Sequence, residues 1–167
     1  GFVYESFAFH PDGQLAATGT SDGVIRIWDV KQGQQSAVFR GHEGAVHTLD
    51  FSQNGYLLAA ASRGAQHLKI WDLRKLDVTR VVDADATIQE VRFDPTAQLL
   101  AVVTAMNVRV FGGKSLELCA TLDVNMAYVL NGAPMMVRFL LVRRIVTFAS
   151  FRCSLKIEHG VRSPHTR

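Results

Sequence analysis

Short apolar runs broken by polar turns recur along the first 123 residues. The run Phe7-Ala8-Phe9 ends at "HPDG", "HTLDF" ends at "SQNG", and "VRF" ends at "DPTA". After each turn comes a small-and-aliphatic run ("QLAATG", "YLLAAA", "QLLAVV"). A second turn and a β-branched or aromatic run follow ("VIRIW", "LKIW", "VRVF"), then a closing run ("QSAVF", "VTRVV", "LELCATL"). Runs of this length and residue type predict strands. Pro presets one dihedral, Asp or Asn bonds its own backbone and Gly accepts positive φ, so the tetrapeptides between them predict chain reversals. Helix periodicity is weak throughout.

The pattern repeats. Phe9, Phe51 and Phe93 close the first run of each unit at intervals of 42 residues, and both tryptophans lie in the same tripeptide, Ile27-Trp28-Asp29 and Ile70-Trp71-Asp72. The third unit has Phe111 in the tryptophan place. Four short strands every forty-odd residues predict one antiparallel four-stranded sheet per repeat, the pattern of a β-propeller blade. The expected fold is therefore all-β, a partial propeller of three clear blades over residues 1–123. Residues 124–167 read either as a degenerate final blade, with Phe139 and Ile157 in the anchor and tryptophan places, or as an unrelated basic tail.

Charge sharpens that boundary. Residues 1–123 hold eleven Lys/Arg against fourteen Asp/Glu, whereas residues 124–167 hold seven against Glu158 alone. The sequence pI of about 9.1 is thus a property of the tail, whose charges read either as a few solvated arginines or as an attractive field for a nucleic-acid or acidic partner. An apolar fraction of 48% excludes a disordered chain on composition. Cys119 and Cys153 lie too far apart to suggest a disulfide framework, and no Cys/His cluster has zinc spacing, so a reducing intracellular setting is expected. No apolar run is long enough to span a bilayer. The absence of an initial methionine and the immediate strand-like sequence suggest a fragment or a gene-model product.

"RGHEGAVHTLDFSQNGYLLAAAS…LKIWDL" resembles a WD40 repeat, with Gly41-His42 before it and Trp-Asp at its end. The resemblance implies an internal Trp-Ser/Thr-His-Asp hydrogen-bond network. Thr18, Asp22 and Trp28 match it in the first repeat, whose histidine would precede Gly1. His42 and Trp71 match in the second, where Ala60 and Ala65 stand at the hydroxyl and aspartate positions. The third has neither Gly-His nor tryptophan. A less rigid second blade is expected, opening first at "SRGAQH".

Over roughly residues 5–123 the chain is similar to the propeller of the pre-mRNA-processing factor 19 family, the spliceosomal U-box ubiquitin ligases; "FSQNGYLLA" and "WDLRKL" are the most telling pieces. That kinship implies a nuclear recognition module for spliceosomal components and ubiquitylation substrates, in mRNA splicing and DNA repair. Transfer itself would belong to an upstream U-box, joined by a tetramerising coiled coil. The residues also admit a general WD40 scaffold with other protein partners, or a nucleic-acid-associated protein acting through its basic tail.

Motifs for chemistry are absent. No G-x-S-x-G, P-loop or HExxH occurs, so no catalytic, cofactor or metal residues are expected. His10 and His47 read as structural or surface residues, Asp83 and Asp85 as a solvated loop, and the two cysteines as small buried hydrophobes. Arg74 and Lys75, just after the third strand of the second blade, read as an ordinary charged loop or as a candidate contact for an acidic partner. Three blades do not close a ring. An open stack is expected to leave two sheet faces to water, lined by residues such as Leu58, Ile70 and Val102, until blades from a longer polypeptide cover them.

Overall fold

The computed structural model of the chain describes residues 1–112 and 116–122. Its strands are β1 (Tyr4–Phe9), β2 (Leu15–Thr20), β3 (Ile25–Asp29), β4 (Gln34–Phe39), β5 (Val46–Phe51), β6 (Leu57–Ser62), β7 (His67–Asp72), β8 (Asp77–Asp83), β9 (Ile88–Phe93), β10 (Leu99–Thr104), β11 (Val108–Gly112) and β12 (Glu117–Leu122). They form three four-stranded antiparallel sheets in chain order, β1–β4, β5–β8 and β9–β12. The architecture is a partial β-propeller, and the repeat read from the sequence is the structural repeat. The expected boundary at 123/124, the question of a final blade, Phe139, Cys153 and Ile157 lie outside the described residues.

The turns behave as their residues dictate. Gly13, Gly55 and Ala97 take positive φ, at 73°, 75° and 58°. In the third repeat alanine stands where glycine is comfortable, and the buried Asp94 carboxylate compensates. It accepts from the amides of Thr96, Gln98 and Leu99 at 3.0, 2.9 and 2.7 Å, holding the reversal closed.

Blades pack face to face. Ala17, Ile25, Ile27 and Phe39 of the first meet Val46, Leu49, Phe51, Leu58, Ala60 and Trp71 of the second. Ala59, Ala61, Leu68 and Ile70 of the second meet Ile88, Val91, Leu100, Val102 and Phe111 of the third. Each large aliphatic side chain buried there contributes about 1.5–3 kcal/mol relative to exposure. The first strands line up innermost and are stitched across the blade boundaries. Ser6 Oγ donates to the Val46 carbonyl (2.6 Å) and His10 Nε2 to that of Gly55 (2.9 Å). The Val91 and Phe93 amides donate to Thr48 Oγ1 (3.2 Å) and Asp50 Oδ2 (2.8 Å).

One expectation fails. Leu58, Ile70 and Val102 do not line open faces: all three are fully buried, Leu58 against the first blade and the other two between the second and third. The reason is the period-two alternation of a strand, which points both faces of an inner sheet at a neighbour. Among the described residues an apolar face that stays uncovered belongs to β1, where Phe7 and Phe9 are 66% and 62% exposed. Leu49 and Phe51, 42 residues on, are 2% and 5% exposed beneath the first blade.

Candidate functional site

The residues singled out in the sequence fall at two places: the interior tryptophan positions and the loops after the third strands. Strand register makes the tryptophan positions comparable. Trp28, Trp71 and Phe111 pair with Ala16, Leu58 and Leu100. Two residues further along each second strand stand Thr18, Ala60 and Val102. In the first blade Trp28 Nε1 donates to Thr18 Oγ1 at 2.8 Å. In the second, Ala60 has no acceptor, and Trp71 Nε1 is buried without a partner. In the third, Val102 and Phe111 are both apolar, so nothing needs satisfying. Losing both partners of a hydrogen bond is nearly neutral, while losing one leaves the other desolvated at about 1–3 kcal/mol. The second blade is in that costly state.

His42 shares it. The ring lies 6.2 Å from that of Trp71 by centroids, and Nε2 is buried without a partner. Burial, and then the charges of Lys69 and His67, push its pKa down to about 4, so the imidazole is neutral near pH 7. Counted from β6 or back from Trp71, the aspartate place falls at Gly64 or Ala65, neither of which carries a carboxylate. Trp71 is instead held by stacking on Phe39, 4.9 Å between centroids and 9° between planes.

Asp22 is not joined to Thr18. It accepts from Thr20 Oγ1 (2.5 Å) and Arg26 Nη2 (3.2 Å), bonds that hold its pKa low, the hydroxyl first and the guanidinium second. The Val24 carbonyl lies 2.6 Å from the same Oγ1 and shares its single proton. The first blade's β2–β3 turn is thus knitted by side chains. Residues 63–66 of the second blade are tied by backbone bonds, Arg63 N to Ala45 O (2.8 Å) and Ala65 N to Ser62 O (3.1 Å). His47 lies on β5 with Nδ1 buried and unpartnered, and burial lowers its pKa. Asp83 ends β8, and the exposed Asp85 pairs with Arg109 Nη1 at 2.5 Å. Cys119 is half-buried on β12. Among the described residues no group of three His, Cys, Asp or Glu side chains is placed to hold a metal ion.

The Arg74-Lys75 loop has more structure than its charge suggests. Buried Asp72 accepts from Arg74 Nε and Nη2 at 3.0 and 2.8 Å and is held down to about 2, chiefly by that side-chain bond. The guanidinium also lies over the Tyr56 ring, 4.5 Å from its centroid. Arg74 is therefore a fixed plane, its charge balanced locally, and Lys75 is the exposed cation beside it. Sequence reading missed Tyr56, a turn residue eighteen positions upstream that only the β6–β7 pairing brings beneath Arg74. It also missed Asp50, whose pKa burial raises to about 6 against the opposing effects of the Phe93 amide and Arg92. Asp50 clasps two blades, and its spacing from Phe93 in the chain gives no sign of it.

The WD40 family (WD domain, G-beta repeat) matches residues 4–29 and 33–72. Over 102 residues the chain is 45% identical to pre-mRNA-processing factor 19 of Oryza sativa subsp. japonica, covering 59% of this chain and 19% of that protein. Over 115 residues it is 42% identical to pre-mRNA-processing factor 19 homolog 2 of Arabidopsis thaliana, with coverages of 68% and 21%. Pre-mRNA-processing factor 19 of Dictyostelium discoideum is 36% identical over 118 residues, with coverages of 67% and 23%. The chain spans about a fifth of the length of these relatives.

Proposed function

From a chain built of WD40 repeats, we propose a protein-recognition module of a splicing factor. The described blades serve as a segment of a longer propeller that holds spliceosomal proteins in the nucleus. The observation that carries this reading is the 36–45% identity to pre-mRNA-processing factor 19 proteins over 59–68% of this chain. Polar side chains such as Ser6, His10, Thr48 and Asp50 fasten one blade to the next, which supports a rigid platform for recognition. A ubiquitin-transferring partner domain in the same polypeptide, with ubiquitylation substrates and DNA-repair factors among the bound proteins, extends the same reading. The bare face of Phe7 and Phe9 accepts a preceding blade, as Leu49 and Phe51 accept the first.

Affinity purification of the full polypeptide from nuclear extract tests this. Enrichment of spliceosomal proteins, lost when Phe7 and Phe9 are both replaced by Asp, is expected. Recovery of none of them refutes the splicing role.

A second reading has its own observation, the excess of six positive charges in residues 124–167. RNA binding that weakens steeply with salt and vanishes on deleting that segment supports a nucleic-acid role. Binding unaffected by the deletion removes it.

A further inference from the structure

The loop between β7 and β8 carries three features that meet at one spot. The first is backbone strain. Leu76 has φ 56°, in the left-handed region that costs a side-chain-bearing residue free energy. The same place, four residues after the third strand's last residue, is Gly33 (φ 64°) in the first blade and Leu116 (φ 52°) in the third. Leu116 gains from its position, because its side chain packs against the core between the second and third blades. Leu76 gains nothing of the kind: it belongs to no core and is 59% exposed.

The second feature is a preorganised platform. Two hydrogen bonds to Asp72 and the Tyr56 ring fix the Arg74 guanidinium, yet its side chain remains 61% exposed. Tyrosine and arginine held rigid at the surface lose little entropy when a partner covers them, which is the property of interface hot spots. The third is charge. Lys75 is an exposed cation that forms no salt bridge among the described residues, although its charge adds to those that lower Asp72, and Arg74, balanced by Asp72, keeps Nη1 out of that bond as a hydrogen-bond donor.

We propose that residues 73–76 with Tyr56 dock an acidic peptide segment of a partner protein that also carries an apolar side chain. The carboxylates meet Lys75 and the free edge of Arg74, and the apolar group covers Leu76 and the Tyr56 ring. A nucleic-acid strand fits poorly, since a polyanion needs a run of cations and this loop offers two, flanked by Asp72 and Asp77. The proposal rests on the recognition reading above and names the partner chemistry for one loop of it.

Fluorescence anisotropy with the full polypeptide tests it. The probes are short labelled Asp/Glu peptides bearing one Leu or Phe, the same peptides with Ala there, their Lys counterparts, and oligouridylate RNA. The acidic peptides with Leu or Phe are expected to bind best. Leu76→Gly should weaken them about tenfold or more while the denaturation midpoint holds or rises, because glycine accepts the left-handed φ. A merely structural leucine would not part affinity from stability in that way. Lys75→Glu should weaken the same peptides and remove the salt dependence. Equal affinity in wild type and both variants, no binding of any acidic probe, or RNA binding abolished by Lys75→Glu overturns the proposal. If spliceosomal proteins are still recovered in those cases, only the loop site falls; if they are not, the recognition reading falls with it.

Discussion

Ala60 leaves two polar atoms stranded, and restoring a hydroxyl there should stabilise the protein. Ala60→Ser places Oγ where Thr18 Oγ1 stands in the first blade, 2.8 Å from the indole nitrogen. It can accept from Trp71 Nε1 and donate to neutral His42 Nε2, the two orphaned atoms. Leaving a buried polar atom unsatisfied costs about 1–3 kcal/mol. Burying the new hydroxyl and fixing its rotamer recovers part of that as a cost, so a net gain of about 1–2 kcal/mol is expected. The assay is urea unfolding of wild type and variant, with the midpoint rising at unchanged slope. The chain has two tryptophans, so a Trp28→Phe background lets fluorescence report on Trp71 alone. A double-mutant cycle with Trp71→Phe, followed by circular dichroism with Trp28 retained, isolates the bond, and the part of the gain due to the indole should vanish while the part due to His42 remains. A gain of equal size in the Trp71→Phe background, or destabilisation by Ala60→Ser, would refute the reasoning.

Three further outcomes follow from the same geometry. A Cβ at Gly19 would collide with Ser6 Oγ and lie 2.5 Å from the Val46 carbonyl, so Gly19→Ala should push the first two blades apart and destabilise by about 2–4 kcal/mol, measured by thermal melting. His42 has its pKa lowered to about 4 against an unfolded value of 6.5, so its contribution is complete above pH 6.5 and is lost as pH falls toward 4, on the order of 3 kcal/mol in all. Asp50, raised to about 6, works the other way: the folded state binds its proton more tightly, so stability is gained as pH falls from 6 to 3.8. Subtracting the pH–stability profile of His42→Leu from that of wild type should reveal the His42 slope, and a flat difference would contradict it. Hydrogen exchange should open residues 62–67 before residues 20–24, since the latter turn is braced by bonds among its own side chains and the former has one exposed side-chain tie, Arg63 to Glu5 at 2.8 Å; equal protection would count against a looser second blade.

The strand pattern was legible because it depends on local properties. Alternating β-branched residues, turn tetrapeptides and a 42-residue spacing carry their meaning within a few neighbours, and all three sheets followed from them. The loss at Ala60 was legible too, since register transfers a position from one repeat to the next. Its consequence was not. Whether a missing hydroxyl matters depends on what faces it, and the same vacancy is costly beside Trp71 and harmless beside Phe111.

By itself, then, the amino-acid sequence determined the repeat, the sheets, the place of each tryptophan and the kinship of the blades. Only the tertiary structure decided which apolar face stays bare, that Asp50 ties two blades together, and that Tyr56 and Asp72 turn Arg74 from a mobile cation into a fixed plane. The physical reason is range. Strand and turn preferences act along the chain, whereas burial, desolvation and cross-blade bonds depend on partners about forty residues away, whose approach no local pattern encodes.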